Sequence, residues 1–110
     1  MEMSNRESSG VVVVDLTGDI DTQAAPAVQD GLFEIVDGGA QKLLVNFTNV
    51  ELITSSGLRA LLTIAKTMKT SGGKFWLCAM NEDVREVFEI SGFETIFNIA
   101  QDEAAALGQF

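Results

Sequence analysis

The sequence predicts an α/β fold with a mostly parallel sheet, on three observations. Short runs dense in β-branched and apolar residues alternate with longer stretches whose apolar residues recur at helical spacing. Glycine and serine clusters punctuate each change of period. The 110 residues suit one domain, and no linker, repeat or low-complexity tract divides them. The order reads β-α-β-α-β-α, which asks for parallel strands joined by right-handed crossovers. In such sheets, sites gather outside the carboxyl ends of the strands.

Taken in order, the first ten residues, "MEMSNRESSG", fit either a short edge strand or a frayed arm. "VVVVDLTG" (11–18) is a strand, because β-branched residues are concentrated there and Gly18 closes it. Over 21–39 the period becomes helical, with Ala25, Val28, Leu32, Ile35 and Val36 on one stripe. Asp21 or Thr22 can cap that helix, Pro26 suits its first turn, and Gly38-Gly39 stop it. Gly31 interrupts its regularity. "KLLVNF" (42–47) reads as a strand covered on both faces. Leu58, Leu61, Leu62, Ala65 and Met68 then mark an amphipathic helix that "SGG" (71–73) ends. "KFWLCA" (74–79) is the next strand, and Asn81 can cap a helix with Val84, Val87 and Phe88 inside and Gly92 at its close. "FETIFNI" (93–99) is ambiguous, and "QDEAAAL" (101–107) reads as a terminal helix.

Composition narrows the function. Apolar residues make up 46%, enough for a folded core without disulfides. Seven basic residues against sixteen acidic ones give a net charge of −9. Contacts to nucleic-acid backbone or to an anionic membrane need clustered cations, so both are disfavoured, and a partner with a basic patch is favoured. The lone Cys78 lies in an apolar run and reads as a buried, inert thiol, in keeping with a cytoplasmic protein. The opening residues lack the basic and apolar regions of a signal peptide, and no apolar run is long enough to cross a bilayer.

Catalytic constellations are missing. There is no histidine, so no Ser-His-Asp or Cys-His arrangement and no imidazole base can form. One cysteine does not make a zinc site, and "SGGK" (71–74) stands in the reverse order to a phosphate-binding loop. Asp19 and Asp21 on one turn suit solvation or capping better than a cation. The expectation is a binding or regulatory module without cofactor or metal, not an enzyme.

"TSSG" (54–57) stands where a helix begins. A serine or threonine there can serve simply as the N-cap. Three features suggest more. A helix N-terminus favours an added anion. Gly57 would leave room for a second protein to approach. Arg59 sits in the first turn, where the helix dipole disfavours a cation unless a phosphate or carboxylate is near.

The stretch from "ELITSSGLRALL" to "VREVFEISGF", together with "LTGDIDTQAAPAV", resembles the STAS domain of the anti-sigma factor antagonists, the bacterial partner-switching proteins. The resemblance spans nearly the whole chain. It implies a single STAS-type domain over 1–110, with a mostly parallel mixed sheet of four to five strands and about four helices. In that family a D-S-[ST]-G-[LI] segment carries a phosphorylated serine, which falls here on Ser55, with Ser56, Gly57 and Leu58 following. Gly18-Asp19-Ile20-Asp21 matches the family's G-[DE]-[IL]-D turn, which lies beside the switch serine. Thr54 departs from the pattern by replacing the aspartate before the acceptor. The resemblance therefore implies phosphorylation at Ser55 and a partner surface including Asp19, Asp21, Thr54, Ser56, Gly57 and Arg59. It implies, as partners, an anti-sigma factor that is also a serine kinase of the histidine-kinase-like ATPase fold, and a PP2C-type phosphatase. The alternative is a STAS module that does not switch and serves as a scaffold or transporter-complex subunit; nucleotide binding by the turn ranks lower, since no lysine follows the glycine.

Overall fold

The computed structural model describes all 110 residues. Its sheet grows outward from the run of valines. Strand β2 (Val11–Thr17) pairs antiparallel with β1 (Glu2–Ser8), so the opening residues form an edge strand rather than a frayed arm. Ser9 and Gly10 between them have φ of 53° and 80°, and two successive positive values are what a two-residue primed hairpin turn demands. On its other side β2 pairs in parallel with β3 (Lys42–Asn49), β3 with β4 (Lys74–Cys78), and β4 with β5 (Asn98–Ala100). The order is β1-β2-β3-β4-β5, a mixed sheet with only the first strand antiparallel.

The connections are α1 (Ala25–Asp37), α2 (Ser55–Ser71) and α3 (Glu82–Ile90), and α4 (Glu103–Leu107) follows β5. Val14, Leu16, Leu43, Val45, Phe47 and Leu77 point from the sheet into the larger core. Val28 and Leu32 of α1, Leu58, Leu61, Ile64 and Met68 of α2, and Val84 and Phe88 of α3 meet them there. The opposite face is narrower: Val11, Val13, Leu44, Cys78 and Ala100 lie beneath Ala106 of α4. Because β3 is sandwiched between the two cores, Leu43 to Phe47 are all buried, in keeping with a run that is apolar except at Asn46.

One helix boundary differs from the sequence expectation, and one ambiguous segment resolves. α1 starts at Ala25, and its N-cap is Ala24, which has no side-chain cap bond. Asp21 instead accepts the Ala24 N–H at 2.8 Å, closing a turn one step ahead of the helix. The ambiguous segment divides into a single 3-10 turn at Phe93–Thr95 and the short β5. Gly31 is explained by the hairpin: a Cβ there would lie 2.7 Å from Met3 Cε, so β1 seats its one inward methionine against α1.

Charge holds α4 to the sheet. Arg6 Nε donates to Asp15 Oδ2 at 2.9 Å, and Arg6 Nη1 donates to Glu103 Oε2 at 3.0 Å. Asn46, the buried polar residue of β3, donates to Glu103 Oε1 at 3.0 Å. The hydrogen bond from Arg6 holds the Glu103 carboxyl below the usual carboxylate range, aided by Asn46. Beneath this lid, burial pushes the Cys78 thiol up to about 12, with the carboxylates of Glu103 and Asp102 adding to the effect.

Candidate functional site

Three loops leave the carboxyl ends of β2, β3 and β4 on one edge of the sheet. The first two are laced by backbone. Gly18 N donates to Asn49 O at 3.0 Å, Ile20 N to Leu52 O at 2.8 Å, and Thr54 N to Ile20 O at 3.0 Å. Ile20 and Ile53 form an isolated parallel bridge, a short continuation of the β2–β3 ladder beyond the regular sheet. The third loop is fastened by Asn81, whose Nδ2 donates to Val50 O at 3.3 Å and whose Oδ1 caps α3 by accepting from Val84 N at 2.7 Å. The chain is therefore delivered to the start of α2 by a rigid support.

Ser55 is the first residue of α2 and its side chain is exposed. Ser56 is half-buried, and its Oγ lies 3.3 Å from Thr22 Oγ1. Asp19 is exposed and Asp21 half-buried on the neighbouring loop. The structure thus brings Asp19, Asp21, Thr54, Ser55 and Ser56 onto one edge. Arg59 is exposed on α2, and the ion pairs of the molecule involve only Arg6 and Arg85, so its guanidinium is left without a carboxylate.

Thr54 occupies the N-cap position, in extended conformation, but makes no capping bond. Its hydroxyl turns instead to Ile20 O, a long contact at 3.4 Å. The simple capping role is therefore not what these hydroxyls perform. The first-turn N–H groups of α2 receive no side-chain acceptor, which leaves the positive end of the helix dipole open beside the Ser55 hydroxyl.

Gly57 is corrected by the structure. It is buried rather than turned toward a partner, and a Cβ there would stand 2.8 Å from Ile20 Cγ2 and from Ile53 Cγ1, and 2.9 Å from Ile20 O. The space that the missing side chain leaves is filled from inside. Gly57 lets α2 press onto the Ile20–Ile53 bridge and acts on the edge only through Ser55 and Ser56.

Two residues outside the sequence-based candidates join the edge. Thr22 does so through its hydroxyl beside Ser56, and Leu52 through a side chain that is 48% exposed on the second loop. Neither carried a local signal: Thr22 reads as an alternative cap, and Leu52 as one more apolar residue next to a buried isoleucine.

Chemically the edge offers an uncharged hydroxyl at a helix N-terminus, two carboxylates and a free guanidinium. It has no imidazole to activate Ser55, since the chain contains no histidine. No cluster of three or more His, Cys, Asp or Glu is gathered for a metal ion. No helix is long and apolar enough to cross a membrane.

The family model of the STAS domain matches residues 2–106. BtrV of Bordetella bronchiseptica, whose name assigns it provisionally to the anti-sigma factor antagonists, is 33% identical over 110 residues, spanning 100% of this chain and 95% of BtrV. The crystal structure of TM1081 from Thermotoga maritima superposes with a TM-score of 0.92 at 23% identity, covering 97% of this chain and 92% of that one. SpoIIAA, a Bacillus cell fate determinant solved in its phosphorylated form, superposes with a TM-score of 0.72 at 22% identity, covering 98% of each chain.

Proposed function

The chain belongs to the STAS domain family, among the anti-sigma factor antagonists, and from that premise we propose that it is a phosphorylation-controlled antagonist acting in the cytoplasm. Unmodified, the edge around Ser55 docks on an anti-sigma factor and frees the sigma factor it held. The same partner, a serine kinase of the histidine-kinase-like ATPase fold, transfers the ATP γ-phosphate to the Ser55 hydroxyl. The proton leaves the hydroxyl for the partner's base, and ADP departs. A PP2C-type phosphatase reverses the modification. The catalysis belongs to these partners, and the chain is their substrate.

The observation that carries this reading is the exposed Ser55 at the uncapped N-terminus of a helix whose approach is locked by the Ile20–Ile53 bridge. A phosphate there adds about −1.5 to −2 charges. At a helix N-terminus that charge stabilises the fold by about 0.3 to 1 kcal/mol, so it does not act by unfolding the domain. The effect falls on the interface. Weakening a micromolar complex to millimolar takes about 4 kcal/mol. Burying a dianion beside Asp19 and Asp21, against a surface shaped for a neutral hydroxyl, supplies a penalty of that order.

Thr54 in place of the aspartate usual before the acceptor favours one other reading, a STAS scaffold or transporter-complex subunit that uses the same edge without switching. Mass spectrometry of the chain after incubation with ATP and its anti-sigma factor separates the two. Phosphate located on Ser55 supports the switch, and a chain that binds the partner yet stays unmodified supports the scaffold.

A further inference from the structure

Three hydroxyls stand in a row where α2 begins, on Thr54, Ser55 and Ser56, and each is chemically able to accept a phosphate. Their residue types do not choose between them. The first loop does. Thr54 N donates to Ile20 O at 3.0 Å, and Thr54 Oγ1 turns to the same oxygen at 3.4 Å. Two residues on, Ser56 Oγ meets Thr22 Oγ1 at 3.3 Å. Positions 20 and 22 of one loop thus engage positions 54 and 56 of the other, running in the parallel sense of the Ile20–Ile53 bridge. Thr54 and Ser56 are half-buried, whereas Ser55 between them is exposed and outside both contacts.

Phosphoryl transfer asks two things of a hydroxyl. Its oxygen must reach the γ-phosphorus in line with the departing ADP, and its proton must pass to a base. A hydroxyl bonded to its own chain meets neither demand until that contact breaks. Thr54 is held by a backbone carbonyl that the bridge fixes in place. Ser56 is held by a side chain alone, that of the exposed Thr22.

We propose that Thr22 is a positioning residue that selects the phosphoacceptor: its hydroxyl keeps Ser56 against the first loop and leaves Ser55 as the hydroxyl free to react. In the transfer the bond from Ser55 Oγ to the γ-phosphorus of ATP forms, the bond from that phosphorus to the ADP oxygen breaks, and the Ser55 proton goes to the partner's base. Thr22 takes no part in those bonds. A phosphate on Ser56 would have to displace Thr22, and its charge would load the laced loops rather than the exposed edge. Selection therefore keeps the modification on the interface and off its support.

The selection rests on the switch proposed for Ser55, and site-resolved mass spectrometry tells the two apart. Wild type, Thr22→Val, Thr22→Ser, Ser55→Ala and Ser55→Ala/Thr22→Val are each incubated with ATP and the anti-sigma factor kinase. Valine keeps the shape of threonine without its hydroxyl, and at this exposed position it costs the fold little. Wild type and Thr22→Ser should carry phosphate on Ser55. Thr22→Val should raise the share on Ser56 by about fivefold to tenfold, the worth of one hydrogen bond. Ser55→Ala/Thr22→Val should gain phosphate on Ser56 faster than Ser55→Ala by the same factor. Thr54 should stay unmodified throughout, because its carbonyl partner is untouched. Phosphate confined to Ser55 in Thr22→Val, as in wild type, would overturn the selection and leave the switch standing. Phosphate appearing on Thr54 together with Ser56 would also overturn it, as the sign of a loop loosened as a whole. No phosphate on any of the three hydroxyls would overturn both selection and switch.

Discussion

Ile20 and Ile53, on separate loops, pair as a parallel bridge beyond the end of the sheet, and the backbone of α2 rests on both. This relationship connects the fold to the site. The G-D-I-D turn and the serine turn are one rigid unit because their central isoleucines pair and are buried together, at 0% and 2% exposure.

Replacing Gly57 with alanine tests that unit. The added methyl must stand within 2.9 Å of Ile20 and Ile53 atoms, backbone oxygen included, so α2 has to move away from the bridge. Overpacking of this kind costs about 1–3 kcal/mol. Urea denaturation of Gly57→Ala should show a loss of that size, with shifts in the amide resonances of Ser55 and Ser56. A variant as stable as wild type would show that the close approach is unimportant.

Much of the architecture was legible because the parallel strands and their helices differ in period. Val11, Val13 and Val14 of β2 and Leu43–Phe47 of β3 are buried on both faces, and the Leu58–Met68 stripe faces a single core. The hairpin was less legible, since "EMSNRES" has no apolar face; β1 is held by its ladder to β2, by the Arg6 ion pairs and by Met3 over Gly31. At the site, the motif gave the position of Ser55 and the neighbouring aspartates. The role of Gly57 could not be read, because its reason lies in Ile20, far away in sequence. The same holds for Thr22, whose hydroxyl meets Ser56 only once the loops are laced.

The Arg6–Glu103–Asn46 network predicts an acid-dependent component of stability. The folded state holds Glu103 below its ordinary value, so the unfolded chain binds the proton more readily. The stabilisation is present above the unfolded carboxyl value of about 4.3 and is lost as pH falls through the lower folded value. Arg6 is 45% exposed, so solvent screens the pair and its contribution at neutral pH is about 1 kcal/mol or less. Glu103→Gln should therefore be slightly less stable at pH 7 and lose less on acidification than wild type, as followed by urea midpoints. Parallel pH profiles would contradict the network's role.

Cys78 should be chemically silent in the folded protein. It is fully buried under α4, and burial pushes its thiol up to about 12. Only the thiolate reacts with a disulfide reagent, so labelling of native protein near pH 8 should be slower than that of the urea-unfolded chain by about a hundredfold or more. Because the unfolded thiol ionises near about 8.5 while the folded one does not, stability should also fall as pH rises above that point. Cys78→Ala should lack this alkaline loss. Rapid labelling of the native chain would mean that α4 does not close over the sheet.

The most direct test of the proposed switch is the affinity of the anti-sigma factor for the chain with and without phosphate on Ser55, measured by titration calorimetry alongside urea stability. The expected result is binding by the unmodified chain and by Ser55→Ala. Phosphorylation should weaken it by about a thousandfold, equivalent to about 4 kcal/mol, with the urea midpoint unchanged or slightly raised. Equal affinity for the phosphorylated and unmodified chains, or a phosphorylated chain that has lost its fold, would contradict it.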